Sequence, residues 1–175
     1  MSLSFELDPP LTADLREAIV GLWTDVTNAG GPIGFVAPVS MADVWPMAQE
    51  TFAAVEAGVD RLLVGWDDGR LVAVLFLVDN RFALKAHWRV LKRVMVRPGS
   101  QGRGYGAALM TEAAAVARAM RLAGLQVTVR DGHGLEAFYA KLGYTVTGRV
   151  PGALRVAADD DRDEIQLWLD LNAAD

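Results

Sequence analysis

The chain has 175 residues, 52% of them hydrophobic, with 17 Lys and Arg against 22 Asp and Glu for a net charge of −5. That length suggests a single domain, residues 1–175, large enough to bury about two-thirds of its unfolded surface. The absence of cysteine excludes a disulfide framework, a thiolate nucleophile and a Cys-ligated zinc, and the scattered basic residues lack the footprint of a nucleic-acid binder.

Residues 2–7 alternate as a first strand, which Asp8-Pro9-Pro10 ends. Thr12 predicts an N-cap, with Asp14 in the first turn and Leu15, Ile19, Leu22 and Val26 on one helical face closing before Gly30. Residues 34–39 read as a loop whose large apolar side chains either pack or line a substrate pocket. Ser40 and Asp43 form a weaker capping box for a second helix with Val44, Met47, Thr51 and Val55 at helical spacing, and Pro46 predicts a kink or a later start. Residues 61–66 and 70–79 flank Asp67-Asp68-Gly69, a hairpin signal. The second of these strands is apolar on both faces and belongs in the sheet centre.

Residues 87–96 make the next strand and 107–123 an alanine-rich helix, with Leu109, Ala113, Val116 and Met120 on one face and Gly124 as its stop signal. A strand over 125–130, a short helix through Leu135, Phe138 and Leu142, a strand over 144–150, an acidic turn over 156–161 and a last strand over 163–171 complete the chain. The order is α/β with a mixed sheet. The longest apolar run, residues 71–78, is too short to cross a bilayer. The N-terminus lacks the basic start and apolar core of a secretion signal, so the expectation is a cytoplasmic protein with no membrane partner.

Between the strand at 87–96 and the helix at 107–123 lies Arg97-Pro98-Gly99-Ser100-Gln101-Gly102-Arg103-Gly104-Tyr105-Gly106. Glycines in alternate positions remove Cβ atoms that would hold a ligand off the backbone, and they allow φ values that aim consecutive N–H groups into one concavity. The following helix adds its unpaired first-turn N–H groups and the positive end of its dipole, so the segment reads as a seat for a diphosphate. It is no Walker loop, because Ala107-Ala108 stands where Lys-Ser/Thr is needed. It is no dinucleotide fingerprint, because the next strand ends Thr128-Val129-Arg130 without an acid. Without a ligand it is a glycine-rich turn.

The Gln101-x-x-Gly104-x-Gly106 spacing after Val96-x-Pro98 resembles the acyl-CoA loop of the GNAT superfamily of N-acetyltransferases, and the element order matches that fold along nearly the whole chain. Residues 34–40, 136–144 and 149–152 resemble the tabtoxin-resistance type, whose members acetylate small amine-bearing molecules. The resemblance implies a mixed, mostly antiparallel sheet of about seven strands flanked by four helices. It also implies acetyl transfer from acetyl-CoA to an amine, without a metal. Val94, Met95 and Val96 would offer backbone groups to the pantetheine arm as to an added strand. Gln101, Gly102, Arg103, Gly104, Tyr105, Gly106 and Ala107 would hold the diphosphate, with Arg97 and Arg103 either helping by charge or lying solvated on the surface.

An alkyl amine with a pKa of about 10.4 is less than about 0.1% neutral at pH 7, so a base is useful, and the departing thiolate, with a thiol pKa of about 8.5, needs a proton. Tyr139 stands where the family pattern places its general acid; its alternative role is packing beside Phe138. The strand before the turn carries Leu91, Lys92 and Arg93 where many relatives have Glu or His, and Gly132 replaces a frequent Asn. His133, in the first turn of the short helix, would have its protonated form disfavoured by the dipole and become a candidate base; otherwise it is a solvent-facing loop residue. His87 reads as structural, and Asp131 as a partner for His133 or for a cationic substrate. Three functions stay open: a small-molecule N-acetyltransferase, an acyl-CoA-binding regulatory protein with little turnover, and a protein N-terminal or lysine acetyltransferase. A homodimer is compatible with each.

Overall fold

The structure is a computed structural model that describes residues 3–100 and 102–172. Its elements are β1 (Leu3–Leu7), α1 (Ala13–Asn28), α2 (Met41–Glu56), β2 (Arg61–Asp67), β3 (Arg70–Val78), β4 (Trp88–Val96), α3 (Tyr105–Ala119), β5 (Gly124–Arg130), α4 (Leu135–Ala140), β6 (Thr145–Ala157) and β7 (Asp160–Asp170), with a 3-10 turn at Ala83–Lys85. Seven strands in the hydrogen-bonded order β1-β2-β3-β4-β5-β7-β6 form the mixed sheet, as the α/β expectation required. The chain divides into two compact units, one of residues up to 79 with 91–113, the other of residues 80–90 with 114 onward.

In the first unit β1, β2 and β3 pair antiparallel. Asp68 (φ 48°) and Gly69 (φ 76°) close the β2–β3 hairpin, the two positive φ values of a turn whose twist suits paired strands. Leu71 through Leu77 are buried, which is why β3 reads as apolar on both faces. Thr12 Oγ1 accepts from Leu15 N–H at 3.2 Å and caps α1. Ser40 and Asp43 form a reciprocal box at α2, Asp43 N–H to Ser40 Oγ at 3.3 Å and Ser40 N–H to Asp43 Oδ2 at 2.8 Å.

With its start fixed there, α2 runs through Pro46 rather than beginning at it. So early in the helix, proline removes only the bond to Ala42 C=O. The buried edge of α2 is Val44, Ala48 and Phe52, with Met47, Thr51 and Val55 half-buried on its flank rather than at its centre. Trp23, Phe52, Phe76 and Met95 are fully buried in this core.

In the second unit Trp88, Arg89 and Val90 of β4 run parallel to Gly124, Leu125 and Gln126 of β5, and β5 pairs antiparallel with β7 along its length. Ile165, Leu167, Leu169 and Leu171 are buried as the alternation predicts. Helix α3 ends at Ala119, and the left-handed residue past its end is Arg121 (φ 58°), not a glycine. Arg121 N–H bonds Arg118 C=O and Leu122 N–H bonds Ala117 C=O, the paired closure of a Schellman end, with Leu122 buried beneath it. Gly124 instead opens β5, and a Cβ there would stand 2.0 Å from Trp168 Cζ2. Its role is close approach rather than helix termination. Strand β6 continues through Pro151 where a loop was expected. It lies last in the strand order, and its register shifts between Val150 and Leu154, the edge and bulge setting in which proline is tolerated.

Candidate active site

Strand β4 ends at Val96, and Arg97 N–H bonds Val72 C=O at 2.8 Å, which fixes where the glycine turn begins. Gly102 (φ 80°) and Gly104 (φ 81°) both take left-handed backbone, and a Cβ on either would meet nothing within 4 Å among the described residues. The turn is therefore open on its outer side. Ala108 N–H to Gly104 C=O at 2.9 Å opens α3, so the N–H groups of Gly106 and Ala107 in its first turn have no carbonyl one turn back within the helix. The helix begins at Tyr105, two residues before the expected start, and Gly106 lies in its first turn instead of contributing positive φ. Gln101 lies outside the described residues.

Three side chains hold this turn. Tyr105 is buried and its hydroxyl donates to Asp67 Oδ2, tying the start of α3 to the end of β2. Arg103 is exposed, and hydrogen bonding to Tyr105 raises its pKa. Arg97 donates from Nε to Leu71 C=O at 2.9 Å and stands 3.5 Å from Asp25. Burial and neighbouring Arg70 pull its pKa down while Asp25 pushes it up, so Arg97 is anchored in the scaffold. Of the strand residues, Met95 is fully buried and Val94 and Val96 are half-buried.

Tyr139 and His133 both lie in the second unit. Tyr139 is 4% exposed, its ring edge-on to Phe138 at 5.1 Å and to Tyr144 at 5.4 Å. Burial pushes its pKa well above the ordinary phenol value. Tyr144, absent from the sequence-based list, is also buried with a raised pKa, and its hydroxyl has no hydrogen-bond partner among the described residues. Its place five residues after Tyr139 was visible, but the contact between their rings was not.

His133 is exposed and precedes Gly134, the left-handed residue that caps α4. It therefore lies outside the helix's first turn, and the dipole argument does not reach it. Its Nε2 is 2.8 Å from Arg130 Nη2 and 3.3 Å from Arg130 Nε. Because arginine only donates, Nε2 is the acceptor in this contact. Asp131 Oδ1 accepts from Asp163 N–H at 3.1 Å, and its Oδ2 lies 4.0 Å from Arg149, so it belongs to the Arg149 cluster rather than to His133.

Among the described residues, seven strands and four helices make an α/β fold with this turn between β4 and α3, and the family match places it in the acyltransferase class. The chain belongs to the acetyltransferase (GNAT) family, whose profile matches residues 18–144. Among solved structures it resembles an N-acetyltransferase from Staphylococcus aureus Mu50, with a TM-score of 0.81 at 12% identity over 98% of this chain and 100% of that one. It resembles a Salmonella typhimurium candidate acetyltransferase solved with its cofactor acetyl-CoA, with a TM-score of 0.78 at 18% identity over 99% and 96%. A ribosomal-protein-alanine N-acetyltransferase from Brucella melitensis gives 0.77 at 17% identity over 97% and 99%. At these identities the likeness is one of fold. No helix among the described residues is long and apolar enough to cross a membrane.

Proposed function

We propose that this acetyltransferase moves an acetyl group from acetyl-CoA to the primary amine of a small molecule, by direct attack in a ternary complex, within one domain and with Tyr139 as general acid. The tabtoxin-resistance type is the relative its sequence suggests. The observation that carries the reading is the open turn at Gly102 and Gly104 leading into the first-turn N–H groups of α3. A diphosphate fits such a seat because backbone donors of the glycine turn and a helix N-terminus meet there. Gln101 through Ala107 hold that group in this proposal, and the backbone of Val94, Met95 and Val96 receives the pantetheine arm.

Bound acetyl-CoA supplies a thioester carbonyl and, as the C–S bond breaks, a thiolate. Burial keeps the proton on Tyr139 at neutral pH, so the donor form is always present. The same burial makes the phenol a weak acid, so donation accompanies C–S cleavage as negative charge develops on sulfur. His133 is the proposed base. To take the amine proton at Nε2 it must release the Arg130 guanidinium that now occupies that lone pair.

Calorimetric titration with acetyl-CoA tests the cofactor, with micromolar affinity, about −8 kcal/mol, expected. Absence of binding refutes the whole reading. Tyr139→Phe keeps the ring contacts and should lower turnover by about 10²-fold or more at unchanged acetyl-CoA affinity. Unchanged turnover refutes the acid role. Tight acetyl-CoA binding with no turnover on amines or peptides would favour a regulatory acyl-CoA-binding protein.

A further inference from the structure

Arg93 immediately precedes Val94 in β4 and is one of few non-glycine residues with positive φ, at 55°. Strand residues avoid that region, so backbone strain is accepted here to place one side chain. Its guanidinium carbon lies 4.9 Å from the centre of the Trp23 ring, Nη2 is 3.0 Å from Met47 Sδ, and a Cβ on Gly34 would stand 3.5 Å from Cζ. Trp23 is fully buried and held by its Nε1–H to Ile33 C=O at 3.0 Å, with Phe35 edge-on to it at 6.0 Å. α1, α2 and the loop between the two helices thus all contribute contacts to the Arg93 guanidinium on β4.

Among the described residues the only hydrogen-bond acceptor of this guanidinium is the Met47 thioether. Among the described residues Arg93 Nε is buried without a hydrogen-bond partner and no carboxylate pairs with the guanidinium. A thioether is a weak acceptor and an aromatic face takes none of the in-plane N–H groups. Burial accordingly pulls the Arg93 pKa down. A desolvated guanidinium nitrogen is costly to leave without an acceptor, and the partner that matches a planar two-donor edge is a carboxylate.

We propose that Arg93 binds the carboxylate of the acceptor, so that the substrate class is amino acids and their close analogues rather than simple amines. This rests on the transferase reading above. The position suits a specificity-determining anchor: Arg93 adjoins Val94, about 3.8 Å away along the backbone, whereas Gly102 of the diphosphate seat follows only after the rest of β4 and the turn. One end of the acceptor is held beside the strand that receives the pantetheine arm, leaving its amine to meet the thioester.

The test is a thiol-release assay with acetyl-CoA over L-amino acids, each compared with its carboxamide and its decarboxylated amine. Wild type should prefer the amino acid by about 30-fold in kcat/KM, equivalent to about 2 kcal/mol at about 1.36 kcal/mol per tenfold. Arg93→Met should reduce that preference to about 3-fold or less, while keeping activity on the amide and affinity for acetyl-CoA. Arg93→Lys, which keeps charge but not the fork, should retain part of it. Because Arg93 is half-buried with no carboxylate beside it among the described residues, an apolar chain there removes a partly desolvated charge, and Arg93→Met should melt no lower than wild type.

Equal rates on acid and amide, or a preference intact in Arg93→Met, overturns the proposal; so does a lower melting temperature with unchanged preference, which marks a structural arginine. If acetyl-CoA does not bind, or no acceptor turns over, the transferase reading fails separately. Calorimetry of the same acids and amides on wild type and Arg93→Met then decides the site. Carboxylate-dependent heat lost in the variant supports it, and no such heat overturns it.

Discussion

Gly124→Ala tests the packing of the second unit most directly. A Cβ there would lie 2.0, 2.5 and 2.6 Å from Cζ2, Cη2 and Cε2 of Trp168, a rigid ring that cannot bend away. The indole must move as a body and with it the edge-on contact to Trp88, now at 5.5 Å and 75°. Overpacking of this kind costs about 1–3 kcal/mol and loss of an aromatic pair about 0.5–1.5 kcal/mol, offset by about 0.5–1 kcal/mol from replacing glycine in a strand. The net is about 0.5–4 kcal/mol, or about 1–16 °C in melting temperature for a chain of this length. Thermal unfolding followed by near-ultraviolet circular dichroism reports both stability and the tryptophan pair. In a Trp168→Ala background the same substitution should be neutral or slightly stabilising, since the obstruction is gone. A Gly124→Ala protein that melts within about 1 °C of wild type, or an equal loss in both backgrounds, would refute the reasoning.

Gly104→Ala places an L side chain at φ 81° where nothing lies within 4 Å. Backbone strain should cost about 1–2 kcal/mol, and acetyl-CoA affinity by calorimetry should fall at least about tenfold, because the new methyl occupies the open side of the turn; unchanged affinity would mean that the ligand lies elsewhere. Asp163 is held below the usual carboxylate range first by its hydrogen bond from Arg149, 2.7 Å from Nη1, and then by Gly152 N–H. Since the folded pKa is the lower one, the associated stability is present above the unfolded value of about 3.9 and is lost as pH falls through the folded value. Melting temperature measured from about pH 6 downward should therefore drop below about pH 4, and drop less in Arg149→Met. Asp43 and Asp161, also lowered by their own hydrogen bonds, keep part of the slope. Parallel curves for the two proteins would sink the assignment.

Most of the elements were legible in sequence because the forces that set them act within a few residues. Thr12 caps the helix it precedes, Ser40 and Asp43 close a box three residues apart, and the apolar run of β3 announces burial on both faces. The glycine turn was legible for the same reason, since φ at Gly102 and Gly104 is a local matter. Local rules misled where tertiary contact takes precedence. Gly124 has the look of a helix stop, yet Trp168, far along the chain, requires the space, and Arg121 takes the left-handed turn instead. His133 was assigned a helix dipole that begins only after it, and Arg130 occupies its nitrogen.

Arg93 marks the boundary most sharply. In sequence it is a cation in a strand that lacks the expected acid. Folding brings its guanidinium over Trp23 and against Met47, a partner 46 positions away. The sequence alone determined the family, the sheet and the turn through local propensity and spacing. Which polar groups would be buried without a partner depended on how distant segments packed, and no short-range signal encodes that.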